Sequence, residues 1–256
     1  MIKQRNISKD RISSFEENSN HKLLNKLPVI ISINGRSFSK LTSLIDKPFS
    51  NQFAECMYVA LSKLVQEIDG TVFGYCSNDE ITIVSRNDQH NETTPWYDNN
   101  IQKISSVVSS IATLQFNNSV SMTNLPISGD PVFITNAFAV PSVYEAANVV
   151  ILRQQQAIFK SINFACLYEL INKYDKNTIK EMLVGMTFDD KVDLLMDECG
   201  VNYNDYPLSF RRGVACYRAP KTVQYKEQEI VKAKWELNEE IPIFSKDEAF
   251  ISGIFK

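Results

Sequence analysis

The chain has 256 residues, of which 44% are hydrophobic and 22% are charged, and its net charge is −3. This length fits one large domain, or a domain with an appended subdomain, and it suffices to bury a sizeable core. A net charge so near zero excludes a protein held on nucleic acid or a membrane by its overall charge, so an anionic partner must meet a local patch. No segment approaches the ~20 apolar residues of a membrane helix, and we expect no membrane partner.

Cysteine usage and the N-terminal composition indicate the compartment. The five cysteines are odd in number, widely spaced and without a C-x-x-C pair. We therefore predict free thiols in a reducing environment rather than disulfides. The first residues lack the apolar segment of a signal peptide, so we expect a cytoplasmic protein. With only two histidines, the sequence does not support a zinc site.

The first half of the chain alternates apolar runs with polar stretches. Its first 27 residues are polar and predicted to be partly helical. Runs rich in β-branched residues predict strands at 28–34, 71–76, 80–85 and 132–139. Apolar residues at three- and four-residue steps predict helices at 50–68 and 100–115. Polar stretches with proline or glycine predict loops at 86–100 and 116–131.

The pattern changes after Pro141. Residues 142–199 are predicted to be mostly helix in three pieces, the last beginning with Thr187 as its N-cap and ending at Gly200. The tail from 207 to 256 is predicted to hold short strands and loops. We therefore predict a core over residues 1–141 and a second part over residues 142–256. This second part combines a helical subdomain with C-terminal strands and packs as one unit with the core.

The order strand, helix, hairpin, helix, strand indicates the fold class. A strand and helix that lead into a hairpin with an acidic tip form the palm arrangement of template polymerases and nucleotidyl cyclases. We predict an α+β protein with such a palm, in which a mainly antiparallel sheet carries helices on one face. The helical subdomain is added to this palm.

Two short segments carry the polar groups of a candidate site. Asp79 and Glu80 lie in a turn between two strands, where they fit a magnesium ligand and a supporting acid, since magnesium commonly takes one or two carboxylates. The same Asn-Asp turn is also ordinary hairpin chemistry. After the first strand, Asn34 stands where a two-metal site calls for an acid. The sequence leaves both interpretations of these segments open.

Further residues are candidates for binding phosphate. Gly35 lies in the turn 34–39, whose successive backbone amides suit a triphosphate, although a plain strand-to-helix turn is the alternative. Lys47 and Lys103 each lie at or near a predicted helix start and are candidate phosphate contacts or solvated surface groups. Residues 211–234 hold seven basic residues and two acids with interleaved tyrosines. That excess predicts contact with an RNA backbone or an edge strand guarded by lysines.

These motifs, in this order, resemble one family. Residues 28–38 read Pro-Val-Ile-Ile-Ser-Ile-Asn-Gly-Arg-Ser-Phe, similar to its PvIIRIDGRSFH segment, and residues 77–80 read Ser-Asn-Asp-Glu, similar to its SDE hairpin. The match continues at Leu41-Thr42, Lys47-Pro48-Phe49, Lys103-Ile104-Ser105, Arg153-Gln154, Ser209-Phe210-Arg211-Arg212-Gly213 and Ile241-Pro242-Ile243-Phe244-Ser245. Over most of its length the sequence resembles the tRNA-His guanylyltransferase family, and more closely its guanylyltransferase-like branch of 3′-to-5′ RNA polymerases.

The resemblance implies an activity, its substrates and its site. It implies template-dependent addition of nucleotides to the 5′ end of tRNA or tRNA-like RNA in the 3′-to-5′ direction, with ATP and GTP as substrates, two Mg²⁺ ions and a homotetramer. It implies that Asp79 is a metal ligand, that Gly35 supplies a backbone carbonyl to the metal and that Glu80 supports the site. The residues implied to wrap or meet the phosphates are Arg36, Ser37, Phe38, Ser39, Lys47 and Lys103.

The sequence keeps the apolar scaffold of this family but departs from it at polar site positions. The family's first metal aspartate is Asn34 here, and the arginine two residues earlier is Ser32. Further differences stand at Ser39, Asn78, Asn99, Asn100, Gln156, Phe159 and Lys160, the last three in place of an acid and an Arg-Asn pair. This pattern also fits a non-catalytic nucleotide- or RNA-binding relative. A palm-fold cyclase acting on nucleotides alone is a third interpretation.

Overall fold

The structure is a computed structural model that describes residues 8–225 and 228–255, with side chains described outside 223–230. The predicted helix near the N-terminus is α1 (Lys9–Asn18), and residues 1–7 of that prediction lie outside the described residues. Lys226 and Glu227 of the basic segment also lie outside them. Within the described ranges, no helix combines the length and the apolar character that crossing a bilayer requires. The five cysteines are free thiols, as predicted.

A six-stranded sheet forms the centre of the molecule. Its strands are β1 (Val29–Gly35), β2 (Thr71–Ser77), β3 (Glu80–Ser85), β4 (Phe133–Ala139), β5 (Val214–Tyr225) and β6 (Gln228–Asn238). Their order across the sheet is β4-β1-β3-β2-β5-β6, and every neighbouring pair is antiparallel. The four strands predicted in the first half of the chain and the mainly antiparallel palm sheet are confirmed.

Helices pack around this sheet. They are α2 (Phe38–Leu41), α3 (Asn51–Glu67), α4 (Ile101–Thr123), α5 (Val143–Leu170), α6 (Lys176–Leu183), α7 (Phe188–Cys199), α8 (Leu208–Arg212) and α9 (Glu248–Ile254), with 3₁₀ turns at Trp96–Asn99, Tyr203–Asp205 and Phe244–Lys246. The two helices predicted in the first half of the chain are α3 and α4. The three helical pieces predicted after Pro141 are α5, α6 and α7.

Two predictions about element length are wrong. Helix α4 runs through the first part of the predicted loop 116–131, because the buried face that begins at Ile104 continues through Phe116 and Ser119. The tail after 207 holds long strands rather than short ones. Strands β5 and β6 have 12 and 11 residues, because they pair with each other along their whole length.

Both faces of the sheet are covered. Helices α3 and α4 pack on one face, as predicted. The other face is also covered, by the first half of α5 and by the C-terminal segment that contains α9. Strands β2 and β3 are therefore buried on both faces, which explains why their sequences are continuous apolar runs rather than alternating ones. Gln154 is buried in this second layer, where it donates to the Pro242 carbonyl.

The helical subdomain is an excursion between β4 and β5. The second half of α5 packs with α6 and α7 around a separate core. Thr187 caps α7 as predicted, in a capping box with Asp190, and the helix ends at Gly200 with φ of 66°. Strand β5 then returns to the sheet beside β2. This connection holds the middle of α5 close to the end of the sheet where the β2–β3 hairpin turns.

Position 213, where the chain passes from α8 into β5, requires a glycine. Its φ is 74° and its ψ is −170°, and a Cβ there would lie 2.5 Å from the Tyr75 hydroxyl oxygen. Gly213→Ala should therefore lower the free energy of unfolding by about 1–3 kcal/mol, measured by urea denaturation. The matched control is Gly253→Ala in α9, where a Cβ meets nothing within 4 Å. It should be neutral or stabilise by up to ~1 kcal/mol, and equal effects of the two variants would contradict the strain at Gly213.

Candidate functional site

The β2–β3 hairpin places Asp79 at one end of the sheet. The strands are joined through Asn78 and Asp79, with Ser77 paired to Glu80. Asn78 has a φ of 52°, a left-handed conformation that asparagine tolerates better than most residues. The N–H of Gly35, at the end of β1, donates to the Asp79 carbonyl at 3.0 Å. The structure thus brings together the two segments that the sequence singled out.

The turn after β1 is anchored by Phe38. Its ring is 2% exposed and packs against Phe53, Phe116 and Phe133, with ring centroids 4.9–6.2 Å away. A Cβ on Gly35 would lie 2.4 Å from the Phe38 ring, so packing demands this glycine whether or not a ligand approaches it. The side chain of Phe38 therefore belongs to the core, and only its backbone is available to a triphosphate.

A cavity of about 210 Å³ opens beside the hairpin tip. Four of the predicted site residues, Phe38, Ser39, Lys47 and Asp79, line it. Aromatic residues from distant elements also line it, namely Phe49, Tyr58, Phe164, Tyr168 and Phe210. None of these aromatics was predicted as a site residue: Phe49 and Phe210 stand in the quoted motifs without a role, and Tyr58, Phe164 and Tyr168 reach the cavity only through the packing of α3 and α5. An apolar wall beside a lysine and a carboxylate suits a molecule with an aromatic ring and an anionic end.

Asp79 and Lys47 are held in the cavity without a close ion pair to each other. Burial raises the pKa of Asp79, the nearby charge of Glu80 adds to this, and Lys160 and Lys47 oppose it. Burial likewise lowers the pKa of Lys47, against the charge of Asp79. The Lys47 ammonium donates to the Thr42 hydroxyl at 3.3 Å and lies 5.8 Å from the centroid of the Tyr168 ring. Both groups are partly desolvated, which strengthens their interaction with a bound ion.

On the α5 face of the sheet, a second cleft adjoins the hairpin tip. We call it the α5 cleft; Tyr75, Ser77, Asn78, Glu80, Thr82, Arg153, Ala157 and Lys160 line it. The Lys160 ammonium forms an ion pair of 2.5 Å with Glu80 Oε1. Asn34 is the cross-strand partner of Glu80, so both side chains lie on the same face of the sheet. Asp79 lines the cavity, whereas Glu80 lines this cleft.

The remaining predicted residues lie in two places. Arg36 and Ser37 are exposed in the turn that leads to Phe38 and Ser39. Lys103 is not brought to the site within one chain: its neighbour Ile104 lines a second cavity with Ser85, at the opposite end of the sheet. The part of α4 near the hairpin end is about 14 residues further on, which corresponds to roughly 20 Å of helix.

The donor set fits one divalent ion better than two. The described residues contain no group of three or more His, Cys, Asp or Glu side chains placed to hold a metal. Asp79 is a partly desolvated carboxylate with a raised pKa, which a bound cation would relieve. Glu80 is already paired with Lys160, and Asn34 offers a neutral amide oxygen. A pair of divalent ions calls for more negative charge than these groups supply.

Comparison with known proteins identifies the family. The family model described as tRNAHis guanylyltransferase matches residues 9–141, and the model of the family's C-terminal domain matches residues 150–248. The chain belongs to the tRNA-His guanylyltransferase family. It is 25% identical over 224 residues to a probable tRNA(His) guanylyltransferase of Drosophila melanogaster, covering 86% of this chain and 76% of that protein. The match spans the predicted site and the helical subdomain alike.

Solved structures of this family share the fold. A bacterial tRNA(His) guanylyltransferase-like protein in complex with ATP superposes with a TM-score of 0.81 at 29% identity, covering 96% of this chain and 98% of that one. A bacterial tRNA(His) guanylyltransferase-like protein in complex with GTP gives a TM-score of 0.74 at 28% identity, covering 96% of this chain and 97% of that one. These matches confirm the palm-type fold predicted from the sequence.

The raised pKa of Asp79 predicts an effect of pH on stability. Between the ordinary aspartate pKa of 3.8 and the raised value, the folded state binds more protons than the unfolded state, so stability falls as pH rises through this window. At pH 7 the ionised carboxylate costs stability. Asp79→Asn should therefore unfold at a higher urea concentration than the wild type at pH 7, and the difference should shrink as pH falls toward 3.8.

Asp190 provides a control of opposite sign. Hydrogen bonds from Thr187 lower the pKa of Asp190, so its contribution to stability is present above the ordinary aspartate pKa and is lost as pH falls. Asp190→Asn should destabilise the protein at pH 7. If Asp79→Asn destabilised it in the same way, Asp79 would be a structural residue and not a carboxylate held ready for a cation.

Proposed function

We propose that this protein is a template-dependent nucleotidyltransferase that adds nucleotides to the 5′ end of tRNA or tRNA-like RNA in the 3′-to-5′ direction. In this reaction the 3′-hydroxyl of an incoming nucleotide attacks an activated phosphate at the RNA 5′ end and displaces the activating group. The observation that carries the proposal is the cavity at the hairpin tip, where Asp79 and Lys47 stand beside an aromatic wall. Membership of the family supports the same reaction class.

ATP and GTP are the proposed nucleotide substrates. The solved relatives are complexes with ATP and with GTP, and here the aromatic residues of the cavity offer a surface for a base. Lys47, whose ammonium lies within the cavity, is proposed to bind a phosphate, and the exposed turn 36–39 to wrap the triphosphate through its backbone amides. Phe38 keeps this turn in place by packing in the core.

Magnesium is the proposed cofactor. Asp79 would hold the ion, together with the Gly35 carbonyl and the amide oxygen of Asn34. When bound, the ion supplies positive charge to the phosphates and orients them. Glu80 supports the site from the α5 face of the sheet. These residues fit one ion well and two ions poorly. The number of ions bound per site therefore distinguishes this proposal from the two-ion arrangement that the family resemblance implies.

A non-catalytic nucleotide- or RNA-binding relative is the second candidate, and Asn34 is the observation that favours it. The amide brings no negative charge to offset two divalent ions beside a triphosphate. A cyclase acting on nucleotides alone has no separate support in the structure. Template-directed incorporation distinguishes the first candidate from binding without turnover, and a cyclic product would indicate the third.

The decisive assay combines the protein, Mg²⁺ or Mn²⁺, labelled ATP or GTP and a 5′-truncated tRNA. We expect a labelled nucleotide to be added at the 5′ end. The identity of the added nucleotide should change when the opposing base of the 3′ strand is changed. Asp79→Ala should abolish incorporation while shifting stability by no more than about 1 kcal/mol. Asn34→Asp should raise turnover at low metal concentration, because it adds a carboxylate. Binding without incorporation under all these conditions would favour the non-catalytic relative.

The β5–β6 ribbon is the proposed RNA contact. Strand β5 pairs with β2 only from Val214 to Tyr217, so the rest of the ribbon extends beyond β2. Lys221 and Lys232 are cross-strand partners, and Lys221 also forms an ion pair of 3.1 Å with Glu236. Lys234 lies on the same face of the ribbon. Arg211 and Arg212 of the basic segment instead bond to the Tyr206 and Ile241 carbonyls.

The ribbon also bears on the size of the RNA. Strand β5 starts beside the hairpin tip and runs to the other end of the sheet, so its last residues lie roughly 35 Å away, at about 3.3 Å per residue. An RNA that contacts both ends must be a large structured molecule, which supports a tRNA-sized substrate. We also infer a homotetramer from the family resemblance, and a light-scattering mass in solution tests it.

Salt dependence tests the ribbon. Binding of a tRNA should weaken steeply with salt, and neutralising Lys232 and Lys234 together as glutamines should reduce the slope of log affinity against log salt by about two. The control neutralises Lys63 and Lys246, which lie outside the ribbon, and should change the slope by less. A ribbon variant with the wild-type slope would show that RNA binds elsewhere.

A further inference from the structure

We propose that a cavity at the end of the sheet away from the hairpin tip binds an unpaired nucleobase, held by stacking against Trp96 and by a hydrogen bond to the buried amide of Asn87. The proposal goes beyond the reaction proposed above, because the length of β3 separates this cavity from the hairpin tip by roughly 17 Å, at about 3.3 Å per residue. A base bound here is therefore not the reacting nucleotide. The base can belong to an RNA strand or to a free nucleoside, since both present the same ring and amino group.

The first support is the size and the apolar lining of this cavity. We call it the far cavity; the residues that line it include Val29, Ile31, Ile68, Asn87, Trp96 and Asn99. Its volume is about 190 Å³, whereas a single water needs only about 10–15 Å³. Val29, Ile31 and Ile68 are buried core residues. The half-buried side chain of Trp96 packs against the same core, so the far cavity offers an apolar surface and an aromatic ring to a flat molecule.

The second support is a buried hydrogen-bond acceptor that is not used. Asn87 is 6% exposed, and its Oδ1 has no hydrogen-bond partner among the described residues. The neighbouring amide of Asn99 fixes which atom is free. Its Nδ2 donates to the Leu24 carbonyl at 3.2 Å and to Asn25 Oδ1 at 3.0 Å, so its Oδ1 accepts from Asn87 Nδ2, at 3.5 Å. Asn87 Oδ1 is thus left for a donor outside the described chain, since a buried acceptor without a partner is unfavourable.

The charges around the far cavity favour a neutral ring over a phosphate. Among the described residues that line it, Arg86 is the one cation. Its guanidinium already donates to the Asp88 carboxylate, at 2.7 and 3.0 Å, and to the Phe255 carbonyl. Asp69, which lines the cavity and is exposed, would repel an anion. A nucleobase fits these conditions, because unpaired bases stack on aromatic side chains and hydrogen-bond through their edges.

The loop that carries Asn87 is fixed by Lys26. The Lys26 ammonium donates to three carbonyls of this loop, those of Asn87, His90 and Thr93, at 3.1, 2.8 and 3.0 Å. All three contacts are to the backbone, so they position the loop and leave the Asn87 amide free. The acceptor is therefore held in place before a ligand binds.

The turn that carries Trp96 is strained. Tyr97, Asp98 and Asn99 have φ of 47°, 53° and 55°, a run of left-handed residues that is least favourable for the bulky Tyr97. Such strain persists where surrounding contacts impose it, and it is concentrated at binding sites. Here the Leu23 N–H donates to the Asn99 carbonyl at 2.9 Å, and the Tyr97 ring lies 4.6 Å from that of Trp96. These contacts hold the Trp96 ring at the far cavity.

The test uses Trp96 as its own reporter. The chain has two tryptophans, so Trp235→Phe in the β5–β6 ribbon leaves Trp96 as the only one. Adenosine should quench the Trp96 fluorescence of this variant saturably. Purine riboside, which lacks the amino group, should bind about tenfold more weakly, because Asn87 Oδ1 then has no donor from the ligand. This comparison of two ligands requires no change at the far cavity itself.

A substitution of Asn87 tests the same hydrogen bond from the side of the protein. Asn87→Leu, added to the Trp235→Phe variant, keeps a similar volume without the acceptor. It should weaken adenosine binding by about tenfold and remove the preference for adenosine over purine riboside. The control is Asn136→Leu, which changes an exposed residue of β4 outside the far cavity and should leave both affinities unchanged.

Two RNA probes distinguish the sources of the base. A short single-stranded oligoadenylate that binds more tightly than adenosine would assign the far cavity to a base of an RNA strand, and equal affinities would assign it to a free nucleoside. A fully paired hairpin RNA should not quench Trp96. Quenching by this hairpin, or equal binding of adenosine and purine riboside, would overturn the proposal. Fluorescence that neither adenosine nor oligoadenylate changes would show that water alone fills the far cavity, and the proposed reaction at the hairpin tip would be unaffected.

Discussion

The site depends on the contact between the end of β1 and the tip of the β2–β3 hairpin. The Gly35 N–H donates to the Asp79 carbonyl, which fixes the carboxylate beside the turn that follows β1. The core holds that turn in place, because the Phe38 ring fills the space that a side chain on residue 35 would need. An aromatic core therefore sets the relative positions of the groups proposed to meet phosphate and metal, before any ligand is bound.

The helical subdomain supplies residues that enclose the site at the end of the palm sheet. It leaves the sheet after β4 and returns through β5 beside β2. On the way, α5 passes the hairpin end of the sheet and brings Phe164 and Tyr168 to one side of the tip and Lys160 to the other. Phe164 and Tyr168 on α5 and Phe210 on α8 add to the aromatic wall that Phe49 and Tyr58 begin. The palm alone would present Asp79 in an open turn, where water would screen its charge.

The charges at the hairpin tip limit the ions that the site suits. Its residues supply one partly desolvated carboxylate, Asp79, and one carboxylate that is already paired, Glu80. Replacing an aspartate by Asn34 would leave two divalent ions under-compensated if nothing else had changed. The lysine on α5 pairs with Glu80 and so withdraws that carboxylate from a metal.

The sequence by itself determined the palm and the position of its acidic tip. The strands around Asn34 and Asp79 and the helix that Thr187 caps are local features, set by apolar periodicity, turn chemistry and capping. Only the tertiary structure decided which distant residues share the site. It separated Lys103 from the hairpin tip and placed Lys160 against Glu80, because strand order and the path of α5 are set by long-range packing that no local pattern encodes.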